Sequence, residues 1–199
     1  MIIIDGRESN RKISEFANLE ELLSGLLADE SLKDRVVTDV LVNGESFSEV
    51  YPHQAEDMAC DTITRVELRT EPVKDMVVAM SGEMHKVATL MANGARNAGR
   101  LFREEKSTEA LELLQDLLDV TRDFMGMVTR LRDEYLGGAD EEFVRKTEAL
   151  SDLVSEMSDV MESEDWVLLS DLLEYEFAPL CEDWRKISEN IHKQIKATA

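Results

Sequence analysis

Beyond residue 72, apolar side chains recur every three or four positions, the period that places them on one stripe of an α-helix. Val77, Met80, Met84, Val87, Met91, Ala95, Ala98 and Leu101 make the first stripe. Leu111, Leu114, Leu118, Thr121, Met125, Val128 and Leu131 make the second, with Phe124 and Tyr135 alongside. Phe143, Thr147, Leu150, Val154, Met157 and Met161 repeat in a third. Leu169, Leu173, Phe177, Leu180, Trp184, Ile187, Ile191 and Ile195 form a fourth. The spacing predicts helices over about 72–103, 107–136, 140–162 and 164–197, with Pro72 in the first turn and caps at Ser107 or Thr108, Asp140 and Ser163. Pro179 lies inside the last stripe, so a kink or break is expected near Glu176–Ala178. Short loops between long helices favour antiparallel neighbours, so 72–199 reads as an up-down-up-down four-helix bundle.

Residues 1–71 follow a different period. Met1–Asp5 is a short apolar strand, and Asp5-Gly6 is a turn into a polar second strand near Arg7–Ile13. Asn18 precedes Glu21 by three residues, a helix start of the capping-box kind. Leu19, Leu22, Leu23, Leu26 and Leu27 then form one apolar face. Val36–Val42 is β-branched and closes on Asn43-Gly44, a strong hairpin signal. Residues 46–61, with Tyr51 and Pro52, read as an irregular connection before a last strand, Thr62–Thr70. In that strand Val66 and Leu68 alternate with Arg65, Glu67 and Arg69, giving one buried and one solvated face. The whole is an α+β chain: a small N-terminal domain over 1–71 and the helical bundle over 72–199.

The order strand, strand, helix, strand, short strand, strand resembles the ubiquitin-like β-grasp fold, and within it the small sulfur-carrier proteins of thiamine and molybdopterin synthesis (ThiS- and MoaD-type). The likeness rests on Met1–Asp5, Leu19–Leu27, Val42-Asn43-Gly44 and Ile63–Leu68. Those carriers end in an exposed Gly-Gly whose carboxylate is activated. Here the last strand runs through Arg69-Thr70-Glu71-Pro72 into a helix, and Gly137-Gly138 is internal, so carrier chemistry is not expected.

Charge narrows the partners. The chain has 43 acidic and 22 basic residues and a formal charge of -21. Such a surface repels phosphate backbones and anionic headgroups, so neither nucleic acid nor membrane is an expected partner; a basic or amphipathic protein is. Cys60 and Cys181 are far apart and form no CxxC pair, and no stretch reads as a signal peptide or membrane span. A reducing, cytoplasmic setting is expected.

Motifs for catalysis or metal binding are sparse. Glu189 and His192 give a single Glu-x-x-His spacing, against the two that a di-metal bundle needs, and Glu189 is expected to face water. His53, His85 and His192 have no metal-ligand spacing, and no Gly-rich phosphate loop is present. Arg96, Arg100, Arg103 and Lys106 suit the end of a helix dipole, with an anion site as the rival reading. No catalytic residue, cofactor or metal is therefore assigned. The methionines suggest something else, since flexible thioethers line grooves that accept varied helices. Met80, Met84, Met91, Met125, Met157 and Met161, with Trp184, are the candidate partner-binding residues. The expected function is a non-catalytic adaptor, chaperone or assembly factor. A metal-dependent bundle enzyme and a purely structural homo-oligomer are the alternatives.

Overall fold

The computed structural model describes residues 1–48, 54–138 and 140–198. Tyr51, Pro52 and His53, read from sequence as part of a connection, lie outside the described residues. The chain divides into two compact units, Met1–Met76 and Val77–Ala199.

The first unit is a five-stranded sheet with one helix. Its strands are β1 (Ile2–Ile4), β2 (Arg7–Glu8), β3 (Arg35–Val42), β4 (Glu45–Ser46) and β5 (Val66–Pro72), in the order β2-β1-β5-β3-β4. β1 runs parallel to β5, with Ile2 opposite Val66 and Ile4 opposite Leu68; the other pairs are antiparallel. α1 (Leu19–Leu27) buries Leu19, Leu22 and Leu26 in the same core as Ile2, Val66 and Leu68. Asn18 caps α1 by accepting from the Glu21 amide, while the Glu21 carboxylate reaches back to the Ala17 N–H at 2.7 Å. Asn43 and Gly44 both adopt positive φ, which matches the twist of the β3–β4 hairpin.

Three strand boundaries differ from the sequence reading. The second strand stops at Glu8 because Ile13 turns inward through a single 3-10 turn and is buried. The last strand starts at Val66, since Cys60 and Ile63, three residues apart, are both buried and need a turn there instead of strand alternation. Pro72 closes β5 opposite Arg35, and α2 begins at Val73. Asp5 secures this corner: its carboxylate accepts from the Thr70 N–H and hydroxyl, both at 2.7 Å, and lies 3.1 Å from Arg35.

The second unit is helical: α2 (Val73–Arg103, which begins in the first unit), α3 (Ser107–Tyr135), α4 (Glu141–Glu162), α5 (Trp166–Leu172) and α6 (Ala178–Thr198). Asp140 caps α4, accepting from the Phe143 amide at 2.7 Å. Two other caps are corrected. Lys106 precedes α3 and gives no side-chain cap. Ser163 ends α4, and Asp165 caps the next helix by accepting from Leu168 N. The break expected near Glu176–Ala178 inside 164–197 falls at Leu173–Phe177, a π-helical turn that joins α5 to α6. Pro179 sits in the first turn of α6, so the missing N–H and the ring's conflict with the carbonyl four residues back fall on the widened turn.

Small residues let α2 and α5 approach closely. The Ser170 hydroxyl donates to the Gly99 carbonyl at 2.8 Å, and a Cβ on Gly99 would lie 3.1 Å from the Ser170 carbonyl oxygen. Gly126 in α3 has nothing within 4 Å of the same position. Gly126→Ala should therefore stabilise the protein by about 0.5–1 kcal/mol through helix propensity alone. Gly99→Ala should fall at least about 1 kcal/mol below it, because the same gain meets backbone crowding. Urea unfolding of the two variants checks this, and equal midpoints would show that the α2–α5 contact yields freely.

Candidate partner-binding groove

The long stripes read from sequence split into two rows on α3 and α4. On α3 the buried row is Ala110, Leu114, Leu117, Thr121, Phe124, Val128 and Leu131. Leu111, Leu118 and Met125, seven residues apart, lie one row over and stay half-buried. On α4, Phe143, Leu150, Leu153, Met157 and Val160 are buried, while Thr147, Val154 and Met161 are half-buried at the same spacing. The half-buried rows border an open apolar groove of about 330 Å³ lined by Leu118, Thr121, Met125, Thr147, Leu150 and Val154, with Arg122 and Ser151 at its edge.

An aromatic cluster joins α3, α4 and α6. The Trp184 indole, fully buried on α6, stands perpendicular to Phe124 of α3 at 6.1 Å and to Phe143 of α4 at 5.1 Å. The Arg132 guanidinium lies 4.0 Å from the Phe143 ring centroid. Edge-to-face aromatic pairs of this kind favour a fixed ring separation. One large side chain from α6 thus spaces α3 and α4, and the rows on their outer side do not close on each other. The Trp184 Nε1–H has no hydrogen-bond partner among the described residues, a cost accepted for filling this position.

Of the candidate residues, only Met125 lines the groove. Met84, Met91, Met157 and Trp184 are buried, and Met80 and Met161 are half-buried away from it. The sequence reading placed Leu118, Leu150 and Val154 in the core stripe and did not separate them as groove walls. Ser151 and Arg122 were not singled out. Their signal was the phase of the heptad row, which lies beside the true core row.

Several other polar side chains pair within the structure. The Ser81 hydroxyl oxygen lies 2.9 Å from the Val78 carbonyl oxygen and 2.9 Å from His192 Nδ1, within hydrogen-bond reach of both. Ser81 is buried, and its contact with His192 joins α2 to α6. Gly82 makes room for the imidazole, since a Cβ there would lie 3.3 Å from His192 Cε1. Glu189 is half-buried and pairs with Arg185. Burial pushes the Cys181 thiol up to about 12, and the Cys60 thiol is raised for the same reason. Among the described residues no three His, Cys, Asp or Glu side chains are grouped to share a metal ion. A broader polar hollow in the first unit, about 990 Å³, includes Arg11, whose guanidinium donates to the Gly25 carbonyl at 2.7 Å.

The basic cluster of α2 meets carboxylates. Arg96 reaches Glu182 at 3.3 Å, Arg100 and Lys106 both reach Glu104, and Arg103 pairs with Asp171 and Glu174. Hydrogen bonds from Arg185, then Arg96, hold the Glu182 carboxyl below its ordinary value. Lys146 donates to Asp183 at 2.6 Å and lowers that carboxyl, with Lys186 adding to the effect.

Residues 80–187, more than half of the chain, match the family model described as Domain of unknown function (DUF8042). The chain belongs to the DUF8042 family. Every residue lining the groove, and Trp184, falls within the DUF8042 match. Residues 1–71 match a second model, Domain of unknown function (DUF8043). No curated protein and no solved structure matches the chain.

Two outcomes follow from this geometry. Trp184→Ala should cost about 3–5 kcal/mol in denaturant unfolding, and Met125→Ala about 1 kcal/mol or less. Comparable losses would mean that the groove wall carries as much packing as the spacer. Because the Asp183 carboxyl is depressed, its contribution is present above its ordinary value of 3.8 and lost as the pH falls through its lower folded value. Asp183→Asn should therefore melt below the parent at neutral pH, by no more than about 1 kcal/mol for so exposed a pair. That gap should close well below pH 3.8. A gap independent of pH would rule out the ion pair as its source.

Proposed function

We propose that the chain is a non-catalytic protein-binding module, an adaptor, chaperone or assembly factor, built from a β-grasp unit and a four-helix bundle. The observation that carries this reading is the open apolar groove between α3 and α4 in a strongly acidic helical unit. Enclosed pockets with a few converging polar groups suit small-molecule chemistry; a shallow apolar trough along two helices suits a protein segment. The β-grasp assignment is supported by the strand order, with β1 and β5 parallel at the centre and α1 packed on the sheet. The bundle assignment is supported by four helical rods, taking α5, the π turn and α6 as one. The likeness to sulfur carriers is then one of fold, since β5 leads into α2 where a carrier has its free Gly-Gly.

No described helix is long and apolar enough to cross a membrane. With a formal charge of -21, a basic or amphipathic protein in the cytoplasm is the partner that the electrostatics favour. Affinity capture with the full chain from lysate of its source, at low and moderate salt, tests the reading. A reproducible protein partner whose recovery falls as salt rises is expected. No reproducible partner under either condition would overturn it.

A further inference from the structure

The groove's length, lining and rim together specify what fits it. Its walls run from Leu118 to Met125 on α3 and from Thr147 to Val154 on α4, about two turns on each helix or roughly 10 Å. A helix laid along that length presents one short row of apolar side chains, spaced three and four residues apart. Outward of the walls, each following a wall residue in sequence, stand Asp119 on α3 and Glu148 on α4, both exposed, with the Arg122 guanidinium at the groove's edge. Asp119 meets Arg122 at 3.0 Å. Glu148 makes no ion pair among the described residues.

The same imbalance holds along both helices. α3 and α4 carry 14 carboxylates and five cationic side chains. Among the described residues only Asp119, Asp123 and Asp133 of these carboxylates have a cation within 4.0 Å. Unmet negative charge along the two helices that wall an apolar trough attracts a segment that is apolar on one side and cationic on its flanks.

Resting on the protein-binding reading above, we infer that the α3–α4 groove is the docking site of a basic amphipathic helix supplied by another protein. Its apolar row lies between Met125 and Val154, and its Lys or Arg side chains reach Asp119 and Glu148. A second copy of this chain fits worse, because it would bring two acidic rims together. An acidic amphipathic helix fails for the same reason.

The test uses the full chain and a synthetic, fluorescently labelled peptide of about five helical turns. The peptide has leucine at alternating three- and four-residue steps and lysine elsewhere. Two controls are the same peptide with glutamate for lysine, and a scrambled peptide of identical composition. Fluorescence anisotropy should show binding of the basic amphipathic peptide that weakens with salt, and both controls should bind at least about tenfold more weakly. Amide NMR shifts should cluster on 118–125 and 147–154. Ser151→Trp, which fills the groove from an exposed position, and Met125→Lys should each lower affinity about tenfold or more, with helical circular dichroism unchanged. Leu90→Lys, on exposed α2 surface, should leave it unchanged.

Equal binding of either control, shifts confined to another face, or full affinity in both groove variants would overturn the inference. So would concentration-dependent self-association on light scattering that Ser151→Trp abolishes, which would assign the groove to a second copy. The broader reading fails separately. A captured natural partner that still binds Ser151→Trp sinks the groove and leaves the module standing, whereas no captured partner at all sinks both.

Discussion

The Trp184 side chain sets the spacing on which the helical unit depends. It reaches from α6 to perpendicular contacts with Phe124 and Phe143, and it is buried with its own N–H unsatisfied. Burying so large a ring outweighs one unmet hydrogen bond, because the apolar area is worth several kcal/mol and the lone donor about 1–3 kcal/mol. Through the indole, both α3 and α4 pack against α6. The apolar rows on their outer flanks are left half-covered, and a trough results. Around it the chain is strongly negative, so the feature that leaves apolar surface open also stands in a field selective for cations.

Elsewhere in the unit, packing is closed by smaller devices. Ser170 and Gly99 join α5 to α2 through a side chain-to-backbone hydrogen bond. Ser81 and His192 join α2 to α6. The π turn at Leu173–Phe177 takes up the misfit of Pro179 without ending the rod. The cations at the end of α2 are spent on Glu104, Asp171, Glu174 and Glu182, so the most basic stretch of the chain is not a free anion site. These contacts absorb much of the unit's polar chemistry into structure.

How much of this was legible in the residues depends on the scale of the question. Period alone separated strands from helices: the alternation at Val66 and Leu68 and the three-four steps from Val77 onward both identify the right element. Local side-chain chemistry placed the caps at Asn18 and Asp140 and the turn at Asn43-Gly44. It misplaced the start near Ser163, where Asp165 has the better-positioned carboxylate. The phase within a stripe was harder. Leu118 and Met125 recur as regularly as Leu114 and Phe124, and only the neighbours on α6 decide which row is core. Trp184 shows the same limit: an aromatic at helical spacing carries no mark of whether it meets solvent, a partner or two phenylalanines. The pairing of Ser81 with His192, 111 positions apart, had no local signal at all.

The central claim is that one indole holds α3 and α4 apart. A distance measurement by pulsed electron resonance tests it, with spin labels on cysteines introduced at Asp119 of α3 and Ser155 of α4, both exposed, while Cys60 and Cys181 are buried and unlabelled. If Trp184 is the spacer, Trp184→Leu shortens the label separation and narrows its distribution around the closed state. An unchanged separation in a folded Trp184→Leu protein would contradict the account.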